Sequence, residues 1–214
     1  YEDLGILSAD NELTDDLTKL FNQLSGFAPQ STYSRLLVAP KTLRPGIMER
    51  IDREIENAKA GKPSGIQFKL NSILDETFVE KLYEASKAGV RVDLLIRGIC
   101  AVQPGIKGVS ENIHVRSVLG RFLEHSRILH FVNGGKNEYW IGSADLMARN
   151  LDRRVEALVR VDKKEHQIRL QNLLDLGLSD EVSSWHLKGT QWGKSGKNLK
   201  DLHSELANKY SKDR

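Results

Sequence analysis

Cysteine is almost absent from the 214-residue sequence, which has only Cys100 beside six histidines. A single cysteine cannot form an internal disulfide, and its isolation excludes the cysteine-rich sites that hold zinc. The histidines supply no replacement metal site, because His166, His186 and His203 have no partner at ligand spacing. So little cysteine favours a reducing compartment, and we expect a cytoplasmic location.

Long apolar runs, internal repeats of fixed period and low-complexity tracts are also missing from the sequence. The composition, 39% hydrophobic and 29% charged, is that of an ordinary globular domain with a substantial core. The formal net charge of +3 is too small to identify a polyanionic partner by itself. No nucleic-acid-binding motif is present, so we expect no nucleic-acid partner.

Hydrophobic periodicity predicts an α/β fold: a mixed, mainly parallel sheet with helices on both faces. The succession of strand, helix, strand, helix and strand over 36–96 is typical of parallel βαβ units. Asn133-Gly134-Gly135, between two apolar runs, predicts a hairpin. Further helices are expected at 11–24 and near 168–177. Further strands are expected at 113–118, 128–132, 139–141 and 155–159.

The hydrophobic pattern weakens after about Ser179. We therefore expect one domain over residues 1–180, followed by an irregular basic tail over 181–214. A short polar helix is expected within that tail, at 197–210. The lysines of the tail are interpreted as a solvated surface rather than a binding site.

The stretch from Arg121 to Glu156 is rich in residue types that handle phosphate. His125 and Arg127 are two positions apart at the start of a strand, so both side chains can face the same way. Small residues at Gly142-Ser143 would let backbone N–H groups approach an anion. Three arginines follow, and guanidinium groups suit phosphate oxygens. They are Arg149, Arg153 and Arg154. Each feature alone is more commonly structural, and the combination carries the interpretation.

In this order, His125 and Arg127 followed by Gly142-Ser143-Ala144-Asp145 resemble a phospholipase D half-site. In that superfamily a histidine attacks phosphorus, while a basic residue and the Gly-Ser turn hold the oxygens. The sequence departs from the pattern in having Arg127 where lysine is usual and Asp145 where asparagine is usual. The acid expected after the basic residue is also missing near Val132-Asn133. These departures argue against an ordinary phosphodiesterase.

Longer segments resemble the C-terminal domain of the bacterial polyphosphate kinase family, over residues 1 to about 185. The resemblance implies a phospholipase-D-like fold and an enzyme that transfers the terminal phosphate of ATP reversibly to polyphosphate with Mg²⁺. The segments that carry it are 1–10, 52–55, 95–100, 110–113, 122–127 and 142–156. The chain is similar to the second of two such domains. Since it begins at Tyr1 without Met, we expect part of a longer protein; a processed chain is the alternative.

The resemblance also assigns roles to individual residues. Tyr1 is expected to contact ATP, and Arg97 to bind the nucleotide phosphates. His125 is expected to bind or protonate phosphate as a second active-site histidine, and Arg154 to bind phosphate. Arg127 joins the two other arginines in neutralising ATP and polyphosphate oxygens. The phosphorylated histidine and the main Mg²⁺ sites lie in the preceding domain of such enzymes, so no metal ligand is expected in this chain.

The expected partners are ATP or ADP, inorganic polyphosphate, the preceding domains of the same polypeptide, and further copies in a homo-oligomer. Membrane association of the full-length protein stays open beside the cytoplasmic expectation. Two other functions also stay open. One is a phospholipase-D-type nuclease or phosphodiesterase completed by homodimerisation, and the other is a non-catalytic polyanion-binding module. His114 and His130 fall within strand-like runs and are expected to be structural.

Overall fold

A computed structural model describes residues 1–27 and 32–211 of the chain. The strands are β1 Leu36–Val38, β2 Ile66–Leu70, β3 Val92–Ile96, β4 Ile113–Ser117, β5 Arg127–Phe131, β6 Glu138–Gly142, β7 Ala157–Val161, β8 Trp185–Lys188 and β9 Gln191–Lys194. The helices are α1 Asn11–Leu24, α2 Leu43–Lys59, α3 Glu76–Lys87, α4 Ala148–Asp152, α5 Lys164–Gly177 and α6 Leu202–Ser211. These elements confirm the predicted mixed α/β class.

The nine strands form a single sheet in the order β1-β7-β6-β5-β2-β3-β4-β8-β9. Two strand pairs, β2–β3 and β3–β4, are parallel, and the other six are antiparallel. The prediction of a mainly parallel sheet is therefore wrong. It assumed that consecutive strands are neighbours, whereas β1 pairs with β7 and β2 pairs with β5. The predicted hairpin at Asn133–Gly135 is confirmed, since it joins the antiparallel strands β5 and β6.

Helices cover both faces of the sheet, as predicted. On one face, α2 and α3 pack against alternate strand residues such as Phe68, Leu94 and Leu129. On the other face, α5 packs against neighbours of opposite parity, among them Ile128 and Ile141. Helix α1 covers β1 and β7 on that second face, and α6 covers the region of β3 and β4. Successive strand residues point to opposite faces of the sheet. Since helices cover both faces, the side chains on both sides of the central strands are buried.

Helix α3 shows how local sequence sets an element boundary. Asp75 has extended backbone angles, and its carboxylate accepts a hydrogen bond from the Phe78 amide, as expected of an N-cap residue. Gly89 has a φ of +90°, a conformation that ends the helix at low cost. Residues next to the helix in the sequence therefore set both of its ends.

The C-terminal region is more regular than the sequence predicts. Within the predicted irregular tail, β8 pairs antiparallel with β4, β9 pairs with β8, and α6 extends to Ser211. The prediction of an irregular tail is therefore wrong for β8 and β9, whereas the short helix predicted at 197–210 corresponds to α6. Residues 212–214 lie outside the described part. The sequence misleads because Leu187, Leu202 and Leu206 are too few to form a periodic pattern, although each contacts a hydrophobic core.

None of the helices in residues 1–27 and 32–211 combines the length and apolar character that crossing a membrane requires.

Candidate functional site

Four strands end or begin at one edge of the sheet, and this convergence creates the candidate site. Strands β2 and β3 are parallel, with Leu70 opposite Ile96, so the residues that follow them share that edge. Strand β5 runs against β2 and begins there at Arg127, which is opposite Gly142 at the end of β6. Carboxyl ends of parallel strands are the usual place for ligands in α/β sheets. The edge thus collects Asn71, Arg97, His125, Arg127 and Ser143.

His125 lies just before β5, and its imidazole is about one-third exposed. Its Nδ1 is 2.6 Å from Oδ2 of Asp3, and its backbone N–H donates to the Glu2 carbonyl. Because an ionised carboxylate only accepts, Nδ1 carries the proton toward Asp3 and Nε2 is the nitrogen left to act on a ligand. The exposed ring of Tyr1 lies edge-on to the imidazole, with 5.1 Å between the ring centroids.

Asp3 stays ionised over a wide pH range because of this contact. Its partial burial works to raise the pKa of Asp3, but hydrogen bonds from His125 and the Leu4 amide outweigh that effect. Electrostatic attraction to His125 and Arg127 lowers it further, so the pKa of Asp3 lies below its ordinary value. A fixed negative charge therefore orients the imidazole.

Arg127 is close to His125 and largely buried. One terminal nitrogen, Nη1, donates to the His125 carbonyl at 2.9 Å and is 3.3 Å from each ring nitrogen. The other, Nη2, donates to Oδ2 of Asp145 at 3.2 Å. The Nε atom is buried and has no hydrogen-bond partner within the described residues. A buried donor without a partner is costly, and a phosphate oxygen would satisfy it.

Asp145 connects Arg127 to Arg97 through Asn71. Its Oδ1 accepts the backbone N–H of Asn71 at 2.7 Å and that of Ser72 at 3.2 Å. The side-chain oxygen of Asn71 in turn accepts from Nε of Arg97 at 3.1 Å. Neither terminal nitrogen of Arg97 has a hydrogen-bond or ion-pair partner in the part of the chain that the structure describes. This fork is available to an anion.

Arg154 approaches the same edge from the loop before β7. Its guanidinium is about half exposed and is 3.9 Å from Oε1 of Glu156. The buried Glu156 carboxylate accepts hydrogen bonds from the hydroxyl of Ser143 and the amide of Asn150. Ser143 directly follows Gly142, which pairs with Arg127. Arg154 is thus linked to the others by intervening residues and not by direct contact.

The Gly142-Ser143 turn serves a different purpose from the expected one. The backbone N–H of Ser143 donates to the Ala157 carbonyl at 3.1 Å, so the expectation that it approaches an anion is wrong for this amide. A Cβ on Gly142 would lie 2.0 Å from that same carbonyl oxygen. Glycine is required here because β6 and β7 approach closely, and the turn positions the Ser143 hydroxyl against Glu156.

Sequence reasoning missed two residues that surround His125. Asp3 is one of them. The available signal was its position two residues after Tyr1, which was expected to contact ATP. Lys69 is the other: it is 3% exposed and donates to the Ser126 hydroxyl at 2.6 Å and to Glu2 at 2.8 Å. The alternation of β2 assigns Lys69 to the face opposite Phe68, and that face is also covered by helices.

Two histidines predicted to be structural have different surroundings. His130 is buried, with its ring nitrogens 2.8 Å from Oε1 of Gln67 and 2.9 Å from Oδ1 of Asn137. Burial lowers its pKa, and its ring stacks on Tyr139. The structural role predicted for His130 is confirmed. His114 is about half exposed, with Nδ1 3.3 Å from Asp93.

Comparisons with known proteins assign the chain to a family. The family model described as polyphosphate kinase C-terminal domain 2 matches residues 36–205. The chain belongs to this family. The polyphosphate kinase of Streptomyces coelicolor is 57% identical over 187 residues, which are 87% of this chain and 25% of that protein. The polyphosphate kinase of Mycobacterium leprae is 46% identical over an alignment of 218 positions, which covers 98% of this chain and 29% of that protein.

A solved structure gives the same fold assignment. The crystal structure of polyphosphate kinase from Porphyromonas gingivalis aligns with a TM-score of 0.88 and 36% sequence identity, covering 96% of this chain and 32% of that one. The chain therefore spans between a quarter and a third of the length of the polyphosphate kinases it matches. The matched range of the family model includes Arg97, His125, Arg127 and Arg154, whereas Tyr1 and Asp3 precede it.

Metal ligands were expected mainly outside this polyphosphate kinase domain. Within residues 1–27 and 32–211, no cluster of three or more histidine, cysteine, aspartate or glutamate side chains is arranged to hold a metal ion. The acidic side chains at the site are engaged by the protein, Asp3 by His125 and Asp145 by Asn71 and Arg127. The side chains of the described site do not form a donor set for Mg²⁺.

Proposed function

We propose that this chain supplies one side of the active site of an ATP:polyphosphate phosphotransferase. In the full-length polypeptide, the terminal phosphate of ATP would pass reversibly to polyphosphate through a phosphohistidine in a preceding domain. His125 and the arginines of this domain would bind the phosphates and exchange a proton with them. Family membership supports the reaction class, and the residues around His125 support the division of labour.

One observation carries the proposal: an unbroken series of contacts runs along the site edge. Asp3 holds His125, Arg127 lies against His125, Asp145 binds Arg127, and Asn71 joins Asp145 to Arg97. The series holds the guanidinium groups of Arg97 and Arg127 beside one oriented imidazole, and Nε of Arg127 has no hydrogen-bond partner among the described residues. Phosphoryl transfer depends mainly on positioning and on neutralising charge, and both requirements are met by such an arrangement.

The proposed chemistry assigns each group a separate task. The attacking nitrogen, on a histidine outside this chain, would bond to the γ-phosphorus while the bond from phosphorus to the β–γ bridging oxygen of ATP breaks, releasing ADP. Arg97, Arg127 and Arg154 would neutralise the phosphate oxygens. His125, with Nδ1 held by Asp3, would hydrogen-bond or protonate an oxygen of the transferring or leaving phosphate through Nε2. Tyr1, beside the imidazole, would contact the nucleotide.

Mg²⁺ would accompany the nucleotide and reduce its charge, with its protein ligands in the preceding domain. No step assigned to this chain passes through it, because the described residues do not form a donor set. Homo-oligomer formation and cytoplasmic location remain predictions.

Substitution of His125 in the full-length polypeptide tests the proposal. His125→Ala should reduce turnover of ATP and polyphosphate by about 100-fold or more, the loss expected when an acid–base group is removed. Circular dichroism should show that the variant folds. His114→Ala is the matched control, because it removes an exposed histidine from β4. Turnover within twofold of the wild type in His125→Ala would refute the proposed role.

The isolated chain provides a second test. Incubated with ATP labelled at the γ-phosphate, it should form no stable phosphohistidine, because the attacking residue is proposed to lie elsewhere. Stable labelling of His125 would contradict the proposed division of labour. Hydrolysis of a model phosphodiester by the chain alone would instead favour a phospholipase-D-type activity completed by homodimerisation.

A further inference from the structure

His203, on the C-terminal helix α6, has a single consistent protonation pattern. Its ring is 3% exposed, and Nδ1 accepts the backbone N–H of Phe122 at 3.0 Å. Because Nδ1 accepts, the proton of a neutral ring is on Nε2, which donates to Oε1 of Glu124 at 2.6 Å. The ring thus binds two points of the loop that precedes His125.

The second oxygen of Glu124 continues the network to the far side of His125. Glu124 Oε2 is 2.6 Å from Nζ of Lys69, as an ion pair, and Lys69 also donates to the hydroxyl of Ser126 at 2.6 Å. Glu2 accepts from Lys69 and from Ser126 as well. Burial would raise the pKa of Glu2, but the charge and hydrogen bond of Lys69 lower it below its ordinary value. Both neighbours of His125 in the chain are therefore bound to one buried ammonium.

The backbone of the loop is also bonded to the N-terminal segment, because the Glu2 amide donates to the Leu123 carbonyl and the His125 amide donates to the Glu2 carbonyl. Residues 119–126 form no helix or strand, and their large apolar side chains are substantially exposed: Leu119 is 65%, Phe122 44% and Leu123 42% exposed. Apolar burial therefore contributes little to its conformation. Buried ion pairs seldom add net stability, because desolvation offsets their attraction. The buried charges of Lys69 and Glu124 are better explained as holding the loop in a single conformation.

The packing of α6 fixes the position of the His203 ring. Leu202 and Leu206 are buried against Leu95 and Val118. A Cβ added at Gly120 would lie 2.5 Å from Nδ1 of His203, so the ring is pressed against the loop backbone. The helix, the ring and the loop are therefore packed tightly together.

We propose that His203 is a positioning residue for His125, acting through Glu124, Lys69 and Ser126. The inference rests on the proposed function of His125, and it makes the C-terminal helix part of the active-site framework. In physical terms, the imidazole of His203 determines where the backbone of residues 122–126 lies. The orientation of the His125 ring by Asp3 depends on that backbone.

Three variants of the full-length polypeptide test the proposal. His203→Ala removes both contacts, and we expect kcat to fall about 10-fold or more while KM for ATP changes less than about twofold, as for outer residues that orient a catalytic group. His203→Gln retains a donor for Glu124 and loses the acceptor for Phe122, so its kcat should be intermediate. Asn208→Ala is the control, because it changes an exposed side chain of α6 without removing either contact, and its kcat should stay within twofold of wild type.

Hydrogen exchange on this chain gives a readout independent of activity. The amides of Phe122 and His125 should lose protection in His203→Ala and keep it in Asn208→Ala. Unchanged kcat and protection in His203→Ala would overturn the proposal, and so would an equal fall in kcat in Asn208→Ala. If His203→Ala does not fold, His203→Gln decides by the same kcat criterion.

The two proposals fail in distinguishable ways. Full-length wild type that transfers no phosphate between ATP and polyphosphate would refute the proposed function. The exchange experiment would still show whether His203 holds the loop.

Discussion

Asp3 and His125 are joined by a contact of 2.6 Å between Oδ2 and Nδ1, although 122 positions separate them in the sequence. The contact forms because the N-terminal segment crosses the loop before β5, where the Glu2 amide donates to the Leu123 carbonyl. An otherwise mobile imidazole thereby acquires one orientation and one tautomer.

Asp3→Asn should reverse that tautomer, because an amide N–H donates to Nδ1 and leaves the proton on Nε2. In the full-length polypeptide we expect kcat to fall by about 10- to 100-fold, as when an orienting partner is removed. The ¹⁵N chemical shifts of the His125 ring report the tautomer directly. Asp15→Asn removes the same charge from an exposed position on α1 and should change neither quantity. Unchanged ring shifts in Asp3→Asn would show that Asp3 does not set the tautomer.

Asp75 predicts a pH dependence of stability. Its hydrogen bonds from Arg44 lower the pKa of Asp75 below its ordinary value of 3.8. A carboxyl group with a lowered pKa in the folded state contributes stability above its unfolded value, and the contribution disappears as pH falls through the folded value. Asp75→Asn should therefore lower the free energy of unfolding by about 1 to 3 kcal/mol at pH 7, and by less below pH 3.8.

Urea unfolding at several pH values measures this difference. Asp152→Asn is the matched control, since Asp152 pairs with the same arginine from a more exposed position and should have a smaller effect. An Asp75→Asn difference that stayed constant from pH 7 to pH 3 would contradict the assignment.

Cys100 should react slowly with thiol reagents. Burial raises the pKa of its thiol to about 11, so the reactive thiolate is scarce at neutral pH. At pH 7.5 we expect alkylation by iodoacetamide to be at least about 100-fold slower than for free cysteine. Unfolding the chain in guanidinium should restore the ordinary rate. Equally fast labelling of folded and unfolded chain would rule out this protection.

Gly142 should tolerate no side chain. The Cβ of alanine there would be 2.0 Å from the Ala157 carbonyl oxygen, which forces β6 and β7 apart. Gly142→Ala should lower the free energy of unfolding by at least about 2 kcal/mol. Gly193→Ala on β9 meets no atom within 4 Å and should change it by less than about 0.5 kcal/mol. Equal denaturation midpoints for the two variants would contradict this account.

Elements with strong local signals were predictable from the sequence. The helix predicted at 11–24 and the Asn133–Gly135 hairpin each depend on neighbours in the chain, and each is present in the structure. Strand order was not predictable in this way. The pairing of β1 with β7 depends on contacts between distant segments, which periodicity does not report.

The candidate site likewise has features that the local sequence predicts and features that it does not. The residue types at His125 and Arg127 are visible as a local pattern, and resemblance extends the prediction to Tyr1, Arg97 and Arg154. Asp3 contacts His125, while Lys69 and His203 contact its chain neighbours Ser126 and Glu124, and all three residues are far apart in the sequence. A lone charged residue in a strand or a lone histidine on a helix carries no signal of its partner, and only the folded topology supplies it.

The position of β1 at one end of the sheet also constrains the order of folding. Its only strand neighbour among the described residues is β7, and Leu36 pairs with Val159. During synthesis, β1 therefore leaves the ribosome long before its partner exists, and closing so large a loop is slow. We expect the central strands to assemble first and β1 to dock late. A chain terminated before β7 would expose the apolar side chains of β1 to aggregation.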